Sequence, residues 1–254
     1  MLIDTHCHLY SEEFKGEETG VIERALSAGV QKFYLPAIDS GVIGSMLELE
    51  AAHPHRCFAM MGLHPCSVRN NYLDELRIAE HWLERRSFAG IGETGLDFYW
   101  DRTYEAEQHK AFHRQIEWGL HYGLPVIIHS RNSTQECIDA IRQHQHGRLS
   151  GIFHCFSGDA EQARQITDLG FYLGIGGVLT YKNSTLPAAI ADIPLEWLVL
   201  ETDAPYLSPV PYRGKRNESS YLVQVADKLA AVKLVPREEI DRATTQNAEK
   251  IFGR

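Results

Sequence analysis

Short apolar runs alternate with longer stretches of helical period along the whole chain. The runs occupy residues 2–5, 32–35, 57–61, 89–92, 125–128, 151–153, 171–174 and 197–200. They are nearly continuous in apolar character, the pattern of parallel strands covered on both faces. Between them lie amphipathic stretches. Phe112, Ile116 and Leu120 step by four through 103–122, and Ala163, Ile166 and Leu169 form a stripe after Gly158-Asp159. Ser133-x-x-Glu136 reads as a capping box opening a helix over 133–144. Pro236 stands near the start of a last helix ending about residue 252, with Ala243, Ala248 and Ile251 on one face. The weakest helix follows the seventh run and rests only on 187–193. Eight βα units in 254 residues predict an α/β fold, a TIM-type (β/α)8 barrel, filling residues 1–254 as one domain. The competing arrangement is an open, doubly wound sheet.

Composition narrows the class. Apolar residues make up 44 % of the chain, enough for a large core. No apolar run approaches the roughly 20 residues a membrane span needs. No basic region precedes an apolar stretch at the start, so a cytoplasmic protein with no secretory signal is expected. The five cysteines form no Cys-x-x-Cys pair, which suits a reducing compartment; Cys57, Cys137 and Cys155 read as small core residues. The net charge of −9 argues against a surface coated with cations for nucleic acid, but leaves room for a local anion site. Thirteen histidines is a high count, and eight of them, in helices or turns, read as solvated.

The barrel makes a demand of its own, because functional residues belong at the C-terminal ends of its strands. His6 and His8 follow strand one on the same side, one residue apart. Glu93 ends strand four, His129 ends strand five, His154 ends strand six, and Asp203 follows strand eight. Any one of them has a bland reading as a histidine or carboxylate capping a backbone group. Together, four imidazoles and two carboxylates exceed the roughly three protein ligands of one catalytic zinc. They suit two divalent ions with Glu93 bridging. Such a pair clamps the attacking and leaving oxygens of a displacement and acidifies a shared water. Zinc or manganese fits this mixed ligation, and magnesium less well. Asp203 is also placed to take the proton of the attacking water. Glu201, two residues before it, points the same way if the strand extends that far. It either supports a ligand or forms half of a buried salt bridge. Asp97 either orients a ligand or caps its loop.

The substrate side falls to other residues. After Asp203 come Pro205, Tyr206, Pro209 and Pro211, then Tyr212-Arg213-Gly214-Lys215-Arg216, three cations in the four residues from 213 to 216 of an acidic chain. The loop after strand seven adds Tyr181 and Lys182. Barrels often hold phosphate in these two loops, and tyrosines there offer faces for bases. His64 after strand three and Arg131 after His129 complete the candidate contacts. Arg213, Lys215, Arg216 and Arg131 are expected to hold phosphates, with Lys182 as a further substrate contact. The bland reading of 213–216 is an ordinary basic turn.

Several segments resemble the TatD family of metal-dependent deoxyribonucleases, within the amidohydrolase superfamily. They are Asp4-Thr5-His6-Cys7-His8-Leu9, Gly62-Leu63-His64-Pro65, Ile91-Gly92-Glu93-Thr94-Gly95-Leu96-Asp97-Phe98, His129-Ser130-Arg131, His154-Cys155-Phe156-Ser157-Gly158, Glu201-Thr202-Asp203-Ala204-Pro205-Tyr206-Leu207 and Arg213-Gly214-Lys215-Arg216-Asn217-Glu218. The resemblance implies a TIM-type barrel. It implies His6, His8, Glu93 and Asp203 around one metal, and Glu93, His129 and His154 around the other. It also implies hydrolysis of DNA phosphodiesters, commonly trimming from the 3′ end. Cys66 stands where the family often has histidine, and Ser219 where it often has proline. Neither is an expected ligand.

The expected activity is a two-metal deoxyribonuclease in which metal-bound hydroxide attacks phosphorus. The protein is expected to act as a monomer on DNA, with RNA or tRNA as alternatives. The rival readings are a carbonyl-centre hydrolase (D-aminoacyl-tRNA deacylase, esterase or amidohydrolase) and, less favoured, a non-catalytic metal-binding protein.

Overall fold

The computed structural model describes residues 1–253. Eight parallel strands alternate with helices: β1 (Leu2–Asp4), α1 (Glu18–Ser27), β2 (Val30–Pro36), α2 (Ile43–Ala52), β3 (Cys57–Met60), α3 (Tyr72–Arg85), β4 (Ile91–Asp97), α4 (Glu105–Tyr122), β5 (Val126–Arg131), α5 (Thr134–His144), β6 (Gly151–Phe153), α6 (Ala160–Asp168), β7 (Phe171–Ile175), α7 (Leu186–Ile190), β8 (Leu198–Leu200), α8 (Leu222–Lys233) and α9 (Arg237–Phe252). The strands form two parallel sheets, β1-β2-β3 and β4-β5-β6-β7-β8, in which each pairs with its sequence neighbours. The ring closes at two seams. Met61 N–H donates to Gly90 O and Gly92 N–H to Met61 O between β3 and β4, and Thr5 N–H donates to Leu200 O between β8 and β1. The result is the (β/α)8 barrel rather than the open sheet.

The barrel interior takes one apolar side chain from each strand or its entrance: Ile3, Tyr34, Met60, Ala89, Ile127, Ile152, Tyr172 and Val199. Helix α9 closes the N-terminal end with Ala248, Ile251 and Phe252. The Phe252 ring stacks on Tyr34 at 3.6 Å between centroids. Asn247 fixes the helix by donating to Leu195 O and Leu198 O, and Thr245 donates to Met1 O. With this end plugged, the cavity can open only at the C-terminal ends of the strands.

Several local expectations are corrected. Ser133 makes no capping hydrogen bond to α5; its Oγ donates to Leu96 O and accepts from Arg131 N–H, tying β5 to β4 instead. A capping box does form one helix later, where Asp159 and Gln162 open α6. Ala243 is only half-buried, and the inner face of α9 runs through Ile240, Thr244, Asn247, Ala248 and Ile251. Helix α8 buries Leu222, Val225, Ala226 and Leu229, a helical spacing outside the stretches named above. Strand β4 does not end at Glu93. It runs on to Asp97 and is buried throughout, although Glu93, Thr94 and Gly95 interrupt its apolar pattern.

Truncating the plug should open a void in the barrel floor. Phe252→Ala is expected to cost about 3 kcal/mol of stability, read as a lower urea midpoint at unchanged slope.

Candidate metal centre

All six residues proposed as ligands converge at the C-terminal mouth of the barrel. Glu93 stands in the middle, 2 % exposed, and its two oxygens face different partners. Oε2 lies 3.1 Å from His6 Nε2 and 3.5 Å from His8 Nε2. Oε1 lies 2.9 Å from His129 Nδ1 and 3.0 Å from His154 Nε2. Asp203 Oδ1 sits 3.7 Å from His6 Nε2 and 3.5 Å from His8 Nε2. The His6 and His154 rings stack at 3.8 Å, so the two sets of imidazoles touch. His64 also enters the cluster, with Nε2 3.3 Å from Glu93 Oε1 and 3.3 Å from His129 Nδ1.

The outer nitrogen of each ring decides what the inner one offers. Tyr10 donates its hydroxyl proton to Pro36 O, so its oxygen, 2.9 Å from His8 Nδ1, accepts from that nitrogen. His8 therefore turns its Nε2 lone pair inward. Asp97 Oδ2 accepts from His129 Nε2 at 2.9 Å, which leaves the Nδ1 lone pair facing Glu93. Glu201 Oε1 stands 3.2 Å from His154 Nδ1 and leaves its Nε2 for the cavity. His64 is wired the other way. Its Nδ1 accepts the Cys66 N–H at 3.0 Å, so neutral His64 points an N–H inward instead of a lone pair.

Three neutral imidazoles thus aim lone pairs at carboxylate oxygens within 3.5 Å. That arrangement is repulsive unless cations or protons lie between them. Mixed imidazole and carboxylate donors in two groups around one shared carboxylate fit a pair of divalent ions. Protons are the substitute. Burial opposes charge on His8, yet Tyr10, Asp203 and Glu93 raise its pKa well above the ordinary value. Burial likewise opposes charge on His154, and Glu93 and Glu201 overcome it. On His129, Asp97 and Glu93 do the same. Glu93 would be pushed up by burial, but His154, His64 and His6 hold it well below the usual carboxylate range.

Backbone geometry brings in the last two acids. Strand β8 stops at Leu200, so Glu201 and Asp203 do not reach the site as alternate residues of one strand. Asp203 gets there through a left-handed backbone, φ 57°, with its N–H donated to His6 O. Glu201 lies fully buried beneath His154 and accepts the Cys155 N–H. A methyl group on Gly174 of β7 would sit 2.1 Å from Glu201 Oε2, so only glycine leaves room for this carboxylate. Asp97 does both things expected of it. Oδ2 orients His129, while Oδ1 accepts from Tyr99 N–H and Trp100 N–H and holds the loop after β4. Tyr10 was outside the expected set. Its signal is its place two residues beyond His8.

A cavity of about 730 Å³ opens over the cluster, lined by His8, His64, Glu93, Asp203, Arg131 and Tyr206 among others. Of the six candidate substrate contacts, only His64 and Arg131 line it. Lys182, Arg213 and Lys215 are exposed outside the wall, with the Arg213 guanidinium over the Tyr181 ring. Arg216 is occupied: it pairs with Glu17 at 2.9 Å, donates to Glu13 O and covers Phe14, anchoring its loop to the segment before α1. Tyr212 is likewise taken up, stacked on Tyr221 at 3.8 Å. Cys155, expected in the core, borders the cavity. Of the eight remaining histidines, expected to be solvated, His55, His81, His121 and His146 are exposed, while His53, His109, His113 and His144 are half-buried, the last two paired at 2.8 Å.

Two measurements follow from the wiring. Tyr10→Phe removes the acceptor for His8 Nδ1 and should weaken metal binding about 10- to 100-fold, as read by competition with a chromogenic chelator. Loading the metal-free protein with Zn²⁺ should release protons, since cations displace those held by His8, His129 and His154. Calorimetry in buffers of different ionisation enthalpy reads the number, and binding should weaken as pH falls.

Comparison with known proteins gives the family. The family model for TatD-related DNases matches residues 3–253. The chain is 36 % identical over 253 residues to YabD of Bacillus subtilis, described as an uncharacterized metal-dependent hydrolase, with 99 % of each chain covered. It is 33 % identical to YcfH of Escherichia coli, described in the same words, covering 99 % of this chain and 95 % of the relative. The crystal structure of YjjV, a TatD homologue from E. coli, superposes with a TM-score of 0.91 at 32 % identity, covering 100 % and 98 % of the two chains. The chain belongs to the TatD-related DNase family.

Proposed function

We propose that this protein is a two-metal hydrolase of DNA phosphodiester bonds, working from the 3′ end, with Glu93 bridging the ions. One observation carries the reading: both oxygens of a single buried carboxylate face separate histidine groups at the floor of an open cavity. His6, His8 and Asp203 would complete one site, His129 and His154 the other. Bound divalent ions would supply Lewis acidity toward the phosphoryl group and acidify the attacking water.

The protein's own groups do the rest. Asp203 Oδ1 lies 3.5 Å from His8 Nε2 on the cavity wall. As a carboxylate it can accept the proton of the attacking water. His64 directs its Nε2–H toward the same space and can donate to a phosphoryl oxygen. Arg131 has no hydrogen-bonded carboxylate or carbonyl among the described residues, which leaves its fork of N–H groups for phosphate. Water adds to phosphorus, the bond to the leaving sugar oxygen breaks, and Asp203 can return its proton to that oxygen.

A second reading has one observation in its favour. Arg131 is the only arginine or lysine on the cavity wall among the described residues, so the wall is poor in cations for a long polyanion. A compact ester, lactone or aminoacyl ester suits such a wall. Competition between DNA and carbonyl substrates for the metal-loaded protein separates the two.

Glu93→Ala should reduce hydrolysis of single-stranded DNA by about 1,000-fold or more with zinc, manganese or magnesium supplied, while circular dichroism shows an intact fold. Undiminished turnover in that variant would contradict the assignment.

A further inference from the structure

Nine large hydrophobic side chains are exposed among the described residues. Five of them, Tyr99, Trp100, Tyr206, Leu207 and Val210, belong to the loops that follow β4 and β8. Those loops flank the mouth of the barrel. Trp100 is 67 % exposed and lines the same cavity as Glu93 and Asp203. Exposed apolar side chains gathered at the rim of a cavity, unlike ones scattered singly, mark a binding surface.

The β4 loop has an organised face. The Arg131 guanidinium lies 3.8 Å from the Tyr99 ring centroid and 5.1 Å from that of Trp100. The two rings meet edge to face at 4.9 Å. Asp97 holds the backbone under them, accepting from Tyr99 N–H at 3.0 Å and Trp100 N–H at 3.1 Å. The other oxygen of that carboxylate orients His129. One side chain therefore sets the aromatic pair at a fixed place relative to the metal centre. Beside the rings, Arg131 offers phosphate donors. An aromatic face next to a cation, opening into a phosphodiester site, has the chemistry that binds unpaired nucleotides.

We infer that Trp100, braced by Tyr99 and Arg131, is a stacking platform for a nucleobase close to the scissile phosphate, with Arg131 binding the phosphate beside it. This rests on the nuclease reading above. A base that stacks on a side chain has left its helix, so the platform selects single strands and frayed ends over duplex interiors. A protein partner is a poorer occupant, because it would seal the cavity that must admit substrate.

The test is steady-state cleavage of a single-stranded oligonucleotide by the metal-loaded protein, by Trp100→Ala and by Trp100→Phe, each checked for an unchanged melting temperature. Trp100→Ala should raise KM about tenfold with a smaller effect on kcat, and Trp100→Phe should recover most of the loss. The preference for single-stranded over duplex DNA should narrow in Trp100→Ala. Placing a stable abasic analogue at successive nucleotides locates the stacked base. At one position its removal should cost the wild type as much as the alanine variant loses, and should cost that variant little more. An unchanged KM in Trp100→Ala, on an oligonucleotide the wild type cleaves, overturns the platform and leaves the nuclease reading standing. So does a cost of base removal that is equal in wild type and variant at every position. No cleavage of any oligonucleotide by the wild type overturns the nuclease reading and the platform with it.

Discussion

One buried carboxylate organises this molecule. Glu93 sits almost out of contact with water, among the imidazoles of His6, His64, His129 and His154. A lone ionised carboxylate in such a place would be costly, and so would a knot of imidazoles held together without a partner. Each makes the other tolerable, and the lone pairs that remain face to face call for cations. The rest of the site can be understood as support for that balance. Tyr10 and Asp97 accept from the outer nitrogens of His8 and His129, and Glu201 stands 3.2 Å from that of His154, so the inner nitrogens stay free as donors to a metal. His64, held by the Cys66 backbone, keeps an N–H inward instead. His64 therefore differs in role from its neighbouring imidazoles, because its outer nitrogen meets a donor where His8 and His129 meet acceptors.

The barrel makes this possible by separating stability from chemistry. Its interior is filled by one apolar residue per strand, and α9 shuts the far end with the Phe252 and Tyr34 stack. The polar ends of the strands can then depart from regular geometry. Asp203 uses a left-handed backbone, and β4 carries Glu93 and Asp97 along a fully buried strand. Asp97 extends the influence of the site outward, since it grips both His129 and the loop that displays Trp100.

Much of the fold is legible in the sequence because the strand cores are apolar and short, and parallel strands leave no alternation to confuse them. The six metal-type residues are legible for a related reason: they follow directly on those apolar runs. What escapes the pattern lies where polar chemistry replaces it. Strand β4 continues through Glu93, Thr94 and Gly95, which no hydrophobic pattern marks as strand. Ser133 has the spacing of a helix cap but spends its hydroxyl on Leu96 O in the neighbouring strand. The basic run at 213–216 is visible as charge, yet charge alone does not reveal that Arg216 is pinned by Glu17 or that Arg213 rests on Tyr181. Wiring of this kind depends on which loops meet in space, and local sequence carries no record of it.

We propose that Glu93 joins two cation sites. Its most direct test is the metal content of the protein after saturation with Zn²⁺ or Mn²⁺ and removal of free ion, measured by elemental analysis against protein concentration. Two ions per chain are expected in the wild type and, in Glu93→Ala, fewer than two. One ion per chain at saturation, or two retained equally in the variant, would contradict it.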